Sequence, residues 1–289
     1  MANVAIITDT LACLPKELIE KYDISIVPII INYQGKAYRD SFDISPAQAY
    51  ELFLHNPDAF ATSPASPMQY LEAFREASRR AGEILCISVS SHLSTSYNVA
   101  RIAAEQVAGE LPDVRIQVVN CDTVLAAQGF IVLAAAQAAS SCHDLSGALQ
   151  AALDVKERVT FALVLETIRH VYRTGRVPRI ATEAASLLHI KPILTCKSGV
   201  VRLVNLSRNM QQGQDHIIRT MKAKVGDNPV HVAIMHAYAP VEAEKLSHRI
   251  SSEFNCTELW TTEVSPVVGY ALGAGAIGFA YYDGTELKV

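Results

Sequence analysis

The residues best suited to chemistry form a hydroxyl-rich segment that follows a short apolar run. Residues 84–87 predict a buried strand. The hydroxyl side chains that follow are Ser88, Ser90, Ser91, Ser94, Thr95 and Ser96. A helical pattern begins after them, and a helix N-terminus with free N–H groups and hydroxyls suits a carboxylate or a phosphate. Ordinary helix capping by Ser and Thr explains the same residues, so the pattern leaves both interpretations open.

An enzyme that uses the same turn is the alternative from a different class. Ser94 is its candidate nucleophile, with His92 nearby, in a serine hydrolase or a phosphotransfer component. The sequence contains neither a G-x-S-x-G elbow nor a phosphate-binding P-loop, which favours binding over catalysis. Residues 273–278 match G-x-G-x-x-G, but only eleven residues follow, too few for a dinucleotide-binding unit. Their small side chains predict instead that the backbone there passes close to another element or to a ligand.

The elements that position this turn alternate between strand and helix through the first half of the chain. Predicted strands at 4–8, 24–33, 84–87 and 114–120 are separated by predicted helices at 11–22, 45–55, 66–80 and 126–140. Such alternation predicts a parallel sheet with covering helices, and ligands collect at the carboxyl ends of its strands. Asp9 and Asp122 each follow such an end, where turn and cap hydrogen bonds explain them most simply.

The second half has a different pattern. Strands at 190–195 and 200–205 flank Lys197-Ser198-Gly199, a strong hairpin signal. Two further units of strand and helix follow, and together they predict a mixed sheet. We therefore expect an α/β fold with an N-terminal domain over 1–160, built on the parallel sheet, and a C-terminal α/β domain over 161–289 with the mixed sheet.

The alanine-rich helix at 126–140 has two interpretations. It packs closely on a sheet, or its small side chains leave room for a narrow apolar tunnel. A tunnel with hydroxyls at one end suits an amphiphile with an anionic head, because each charge-assisted hydrogen bond contributes about 1.5–3 kcal/mol. The arginines around Gly175 are either a solvated face or a docking site for an acidic or phosphorylated partner.

Composition and charge exclude several classes of protein. The net charge of −4, from 29 acidic and 25 basic residues, provides no basic footprint for nucleic acid. The most apolar stretch, 130–139, is too short to span a bilayer, and no signal peptide is visible. The six cysteines are scattered without a C-x-x-C pair, which predicts reduced thiols in a cytoplasmic protein. No His, Cys, Asp or Glu cluster has metal-ligand spacing, and no cofactor is predicted.

Taken together, several motifs resemble the DegV family of bacterial fatty-acid-binding proteins over almost the whole chain. Residues 6–15 resemble the opening strand of that family and its D-S…L-P turn. The segment TSPASP at 62–67 resembles T-S-Q-P-S-P, and SSHLSTSY at 90–97 resembles S-S-x-L-S-G-T-Y. RTGRV at 173–177 resembles K-G-G-R-I, and IKPI follows at 190–193.

The resemblance implies a function and a set of site residues. The implied protein is not an enzyme: it buries a long-chain fatty acid between or beneath two α/β domains and presents it to a separate fatty acid kinase. The residues implied to hold the carboxylate are Thr62 and Ser94, with Ser63 and Thr95 as neighbours. Arg173 and Arg176 are the implied docking surface for the partner.

The chain also departs from the pattern of the family. The late G-T-H-T-G-P-G motif is GYALGAG here, at 269–275, so Ala271 stands where the family has a histidine that helps to bind the head group. We expect Asp9, Tyr270 and Ala271 near the head group, where Tyr270 offers a hydroxyl. The glycine of L-S-G-T is Thr95. These departures leave open that the chain belongs to a divergent branch of the family. Such a branch has a different ligand, no kinase partner or a collapsed pocket.

Overall fold

The computed structural model of the protein describes residues 4–141, 144–176 and 190–285. The strands of these ranges are β1 (Val4–Asp9), β2 (Ser25–Val27), β3 (Ile30–Tyr33), β4 (Lys36–Arg39), β5 (Phe60–Ser63), β6 (Glu83–Ser88), β7 (Arg115–Asn120), β8 (Thr160–Val164), β9 (Lys191–Lys197), β10 (Val200–Ser207), β11 (Val230–His236), β12 (Cys256–Glu263) and β13 (Ile277–Asp283). The helices are α1 (Lys16–Lys21), α2 (Pro46–His55), α3 (Pro67–Ser78), α4 (Ser96–Val107), α5 (Ala126–Ser140), α6 (Leu145–Arg158), α7 (Arg169–Thr174), α8 (Met210–Val225), α9 (Pro240–Glu253) and α10 (Pro266–Leu272).

The first half contains the predicted parallel sheet, with strand order β2-β1-β6-β7. Every residue of β1 and β6 is buried, as expected for strands covered on both faces. Helices α3 and α4 cover one face, where Tyr70 and Phe74 pack on Ile7 and Ile84. Helices α5 and α6 cover the other face. The predicted sheet with covering helices is therefore confirmed.

The second half contains the predicted mixed sheet, in the order β10-β9-β8-β13-β11-β12. Strands β11 and β12 are parallel, and the other neighbours in this sheet are antiparallel. The predicted hairpin joins β9 to β10. The sequence did not predict β13, which lies at the centre of the sheet between β8 and β11.

Helix α5 lies between the two sheets and contacts strands of both. Of its 15 residues, 11 are buried, as expected for a helix that is apolar on most of its surface. Phe130 of α5 packs against Trp260 and Tyr282 of the mixed sheet, with ring centroids 5.2 and 5.1 Å away. At the neighbouring Gly129, a Cβ would lie 2.7 Å from the carbonyl oxygen of Ala12 and 3.5 Å from Cη2 of Trp260, so the small residue allows close packing there. The boundary near residue 160 stays a prediction.

A third sheet of three antiparallel strands, β4-β3-β5, was predicted only in part. The predicted strand at 24–33 is divided around Pro28 into β2 and β3, so that the chain changes sheets there. Within the segment 34–44, residues 36–39 form β4, which pairs with β3 in a hairpin. Residues 61–63 belong to β5, which pairs with β3. The sequence did not predict a strand there, because the pairing partner is distant in sequence.

The predicted helix at 11–22 is interrupted near its start. A short 3₁₀ turn covers Thr10–Ala12, and α1 begins only at Lys16. Cys13, between the two, has a φ of 48°, in the left-handed region that a helix cannot include. None of the helices in the described ranges combines the length and hydrophobicity needed to cross a membrane.

Candidate functional site

The carboxylate of Asp9 organises the ends of the parallel strands. Its Oδ2 accepts from the hydroxyl of Ser88 at 3.0 Å and from the N–H of Val89 at 3.1 Å. Its Oδ1 accepts from the N–H of Leu11 at 3.1 Å and from Nε2 of Gln128 at 3.0 Å. Burial raises the pKa of Asp9, and these four donors oppose the rise. Asp9 thereby ties β1, β6 and α5 together.

That Asp9 neighbours a bound head group stays a prediction. Asp9 is fully buried and is not among the residues that line the cavity described below. Protein donors already occupy both of its carboxylate oxygens. Asp9 holds the hydroxyl-rich segment in place from behind.

The hydroxyl-rich segment connects β6 to α4. The hydroxyl of Ser90 donates to the carbonyl of Gly199, at the tip of the β9–β10 hairpin, over 2.9 Å. The Oγ of Ser94 accepts from the N–H of Ser96 at 3.2 Å and lies 2.8 Å from the Oγ of Ser96. Thr95 is at the N-cap position without a capping hydrogen bond from its side chain. Helix capping therefore uses one lone pair of the Ser94 hydroxyl, and it does not use the hydroxyl of Thr95.

The second hydroxyl pair stands at the end of β5. Thr62 is opposite Ile31 in the three-stranded sheet. The Oγ of Ser63 accepts from Nδ2 of Asn32 at 3.1 Å, which leaves its own proton free to donate. Ser66 then caps α3 through a capping box with Gln69. Strand pairing on one side and a capped helix on the other hold residues 62 and 63 in place.

Both hydroxyl pairs line one cavity of about 330 Å³. Its polar lining includes Thr62, Ser63, Ser94 and Thr95. Its apolar walls come from both halves of the chain and include Val89, Leu125, Phe161, Leu163, Leu194 and Val201. The structure therefore brings the four residues predicted to hold a carboxylate to a single, mainly apolar cavity.

The charge around the cavity favours an anion. Arg176 is among the lining residues, and the described lining includes no carboxylate. The guanidinium of Arg176 is exposed and donates to the carbonyl of Thr174 at 2.7 Å. Arg173 belongs to α7, but its side chain lies outside the described residues, as do residues 177–189. No group of three or more His, Cys, Asp or Glu in the described ranges is arranged to hold a metal ion.

Helix α10 contributes one wall of the cavity, including Tyr270 and Ala271. The ring of Tyr270 packs against Phe60 of β5, with centroids 5.5 Å apart. Since α10 has only seven residues, its position depends on neighbouring elements. Tyr270 and Ala271, two of the residues predicted near a head group, therefore line the same cavity as Thr62 and Ser63.

Two buried contacts that sequence reasoning missed hold α10 in place. The hydroxyl of Ser265, its N-cap residue, donates to Oδ2 of Asp40 at 2.6 Å. The hydroxyl of Tyr50 donates to the carbonyl of Val264 at 2.8 Å. Gly269 faces Tyr50 so closely that a Cβ there would lie 2.0 Å from the phenol oxygen. No local signal marked Asp40, because its partner is 225 positions away.

The buried carboxyl of Asp40 should make stability depend on pH. Burial raises the pKa of Asp40 in the folded protein, and hydrogen-bond donors that include Ser265 lower it by less. The native state therefore binds this proton more tightly than the unfolded chain. The free energy of unfolding falls as the pH rises from the pKa of Asp40 in the unfolded chain to its higher pKa in the folded protein. We expect the stability advantage of the wild type over Asp40→Asn to shrink as the pH rises from about 4, the ordinary value for Asp. Urea unfolding of both proteins from pH 4 to 8 measures it, and an advantage that grows with pH contradicts it.

The β9–β10 hairpin closes the cavity against the hydroxyl-rich segment. Ser198 and Gly199 have φ values of 50° and 79°, as a tight two-residue hairpin requires. A Cβ on Gly199 would lie 2.6 Å from the Oγ of Ser90 and 2.8 Å from Cδ2 of His92. Glycine at this position lets the hairpin tip touch the turn that carries Ser94, while Leu194 and Val201 face the cavity.

Comparisons with known proteins agree with this architecture. A DegV domain-containing protein of Clostridium perfringens is 29% identical over 280 residues, 96% of this chain and 98% of that protein. The DegV protein of Bacillus subtilis is 24% identical and covers 96% of this chain and 99% of its own length.

Solved structures show the same fold. A fatty-acid-binding DegV family protein from Thermus thermophilus matches 97% of this chain and 99% of its own, with a TM-score of 0.88 and 23% identity. DegV of Bacillus subtilis, described as a fatty acid binding protein, has a TM-score of 0.88 at 22% identity, over 98% of this chain and 100% of its own. A stearic-acid-binding protein from Eubacterium ventriosum has a TM-score of 0.87 at 22% identity, over 98% of each chain. The family model for uncharacterised proteins of the DegV family matches residues 3–284. With its fold, its sequence relatives and this match in agreement over nearly its full length, the chain belongs to the DegV family.

Proposed function

We propose that the protein is a carrier that binds a long-chain fatty acid in the cavity, with the carboxylate held by Thr62 and Ser94. The observation that carries this proposal is the meeting of two hydroxyl pairs, 62–63 and 94–95, at one apolar cavity. Neighbouring structures described as fatty-acid-binding proteins support it. The ligand in this chain is expected to be the same class of amphiphile.

The apolar lining provides the affinity for the acyl chain. The volume of about 330 Å³ falls at the lower end of the range for small-molecule sites. Transfer of each methylene from water into such a cavity contributes about 0.8 kcal/mol. Aromatic and branched side chains such as Phe161, Leu163 and Leu194 give the tail an apolar environment. The tail would therefore supply most of the binding free energy.

The hydroxyls provide specificity for the head group. An ionised carboxylate only accepts hydrogen bonds, and Ser and Thr hydroxyls each have one proton to donate. Two such bonds contribute about 1.5–3 kcal/mol each, because one partner is charged. Arg176 adds positive charge at the exposed side of the cavity, and the absence of lining carboxylates in the described ranges avoids repulsion.

A hydrolase is the less favoured function. The hydroxyl of Ser94 pairs with Ser96, whereas an activated serine nucleophile pairs with a general base. We take the protein to be a carrier that acts in the cytoplasm. Its buried free thiols Cys13, Cys86 and Cys121 support that location. Burial raises the pKa of Cys13 to about 12, so that this thiol stays protonated and unreactive.

Presentation of the acid to a separate fatty acid kinase is the finer part of the proposal. Arg176 supports it, because its exposed guanidinium stands at the cavity. The test mixes palmitate-loaded protein, ATP and hydroxylamine with a purified bacterial fatty acid kinase. Acyl hydroxamate that forms only with the loaded protein is expected. Equal formation from free palmitate contradicts presentation.

Binding itself is tested on the purified protein. Organic extraction followed by mass spectrometry is expected to release an acyl species, and delipidated protein is expected to bind added palmitate in a calorimetric titration. The proposal fails if extraction yields no acyl species and if palmitate, stearate and oleate all fail to bind. Turnover of acyl esters by the isolated protein would instead support the hydrolase.

A further inference from the structure

Leu125, the residue before α5, has a backbone conformation that leucine rarely adopts. Its φ is 64° and its ψ is −155°. Only glycine adopts this region without strain, because it has no Cβ to collide with the neighbouring backbone. A glycine would therefore fit this position more easily, and the strained leucine indicates a role for its side chain.

Contacts on both sides of Leu125 keep its backbone from relaxing. Its own N–H donates to the carbonyl of Leu11 at 2.9 Å. Two residues before it, the carbonyl of Thr123 accepts from the N–H of Ser90 at 3.0 Å. Three residues after it, Nε2 of Gln128 donates to the buried carboxylate at the end of β1 at 3.0 Å. A strained conformation persists only where the surroundings determine it in this way.

The side chain of Leu125 forms part of the cavity wall. It is fully buried and lines the cavity, as do the adjacent Val124 and Leu11, the residue that accepts its N–H. Because its backbone is fixed on both sides, this branched side chain cannot move aside for a wider ligand. Strained residues cluster at sites that bind ligands, where the strain keeps a group in position.

We propose that Leu125 is a specificity-determining residue, which restricts the cavity to unbranched acyl chains. One additional methylene in an apolar pocket changes the discrimination between ligands about 10-fold to 200-fold. A wall that cannot yield should therefore discriminate strongly against a methyl branch. This inference rests on the proposed function, since an acyl chain must occupy the cavity.

Phytanate and palmitate test the specificity, in calorimetric titrations of delipidated protein. Phytanate has the main chain of palmitate with a methyl branch on every fourth carbon, so a branch lies near Leu125 wherever this residue meets the chain. The wild type is expected to bind palmitate at least about tenfold more tightly than phytanate. Leu125→Ala is expected to bring the two affinities within about threefold of each other. Leu133→Ala, at a buried leucine of α5 outside the cavity lining, is the matched control and should keep the wild-type ratio.

Thermal unfolding without ligand tests the strain separately. Leu125→Gly should unfold at least about 2 °C above Leu125→Ala, because glycine adopts a positive φ without strain. The order should reverse at Leu133, where Leu133→Gly should unfold below Leu133→Ala, because glycine destabilises the interior of a helix. Leu125→Met keeps the volume but replaces the branched side chain with a flexible one. It repeats the affinity test if the alanine variant does not fold, and it should also bind phytanate more tightly relative to palmitate.

Three results overturn the inference. The first is a wild type that binds phytanate as tightly as palmitate, and the second is a ratio of affinities that Leu125→Ala and Leu125→Met leave unchanged or that Leu133→Ala changes equally. The third is a glycine variant at position 125 that is less stable than the alanine variant. Failure of the wild type to bind palmitate is a different result: it overturns the proposed function and leaves the comparison of unfolding temperatures intact.

Discussion

Palmitate affinity is expected to fall by at least about a hundredfold in a Thr62→Val, Ser94→Ala double variant. The variant removes two hydroxyls that line the cavity and leaves the volumes of the side chains nearly unchanged. A hydrogen bond to a charged group contributes about 1.5–3 kcal/mol, and each 1.4 kcal/mol is a factor of ten in affinity. Two lost bonds therefore amount to a hundredfold change or more. Isothermal titration of delipidated protein with palmitate measures it.

The controls separate loss of the head-group bonds from loss of the fold. Hexadecanol should bind the double variant with nearly wild-type affinity, since the apolar walls are intact. Ser251→Ala, which removes an exposed hydroxyl of α9, should bind palmitate as the wild type does. Arg176→Ala should weaken binding less than Ser94→Ala alone, because the guanidinium is exposed and screened by solvent. Equal losses from these two single variants would contradict the roles given to the hydroxyls.

Helix starts and tight turns could be predicted, because they depend on residues that are close together in the sequence. Ser45-Pro46 and Ser66-Pro67 predict helix starts, and both serines form capping boxes at α2 and α3. The Lys197-Ser198-Gly199 turn predicts the β9–β10 hairpin, and the structure has it. Each of these signals depends on contacts within a few residues, so the sequence alone carries the necessary information.

Short strands that depend on distant partners were not predicted. β5 has only four residues, and its pairing with β3 joins positions about thirty residues apart, such as Thr62 and Ile31. β13 begins in the glycine-rich segment near the end of the chain and pairs with β8 and β11 on its two sides. Its Ile, Phe and Tyr residues favour a strand, but the glycines before and within it hid that pattern, and the pairing with distant strands cannot be read from local sequence.

The hydroxyls that line the cavity could be predicted from the sequence, and the residues that support them could not. Thr62 and Ser94 belong to motifs that can be recognised from residue order, and both line the cavity. Asp9 has the residue type of a functional acid, but its role depends on Ser88 and Gln128, which are 79 and 119 positions away.

Gly278→Ala is expected to be the most destabilising single change among these variants. Gly278 lies in β13, and a Cβ there would be 2.0 Å from the carbonyl oxygen of Ala162 and 2.9 Å from Cα of Leu163. All of these atoms belong to the backbone of β8, so no side-chain rotation relieves the contact, and the central strands must move apart. Overpacking of a well-packed core costs about 1–3 kcal/mol, and occasionally more, so we expect a loss near 3 kcal/mol.

Urea unfolding measures the loss, and Gly109→Ala is the matched control, because a Cβ at Gly109 meets nothing within 4 Å. The control is expected to unfold within about 0.5 kcal/mol of the wild type, as surface substitutions usually do. Because Leu163 also lines the cavity, separation of β8 from β13 in the Gly278→Ala variant should weaken palmitate and hexadecanol alike. That common loss contrasts with the selective loss of palmitate expected when hydroxyls are removed. If Gly278→Ala unfolds like the wild type, the close approach of β13 to β8 cannot be what requires glycine at this position.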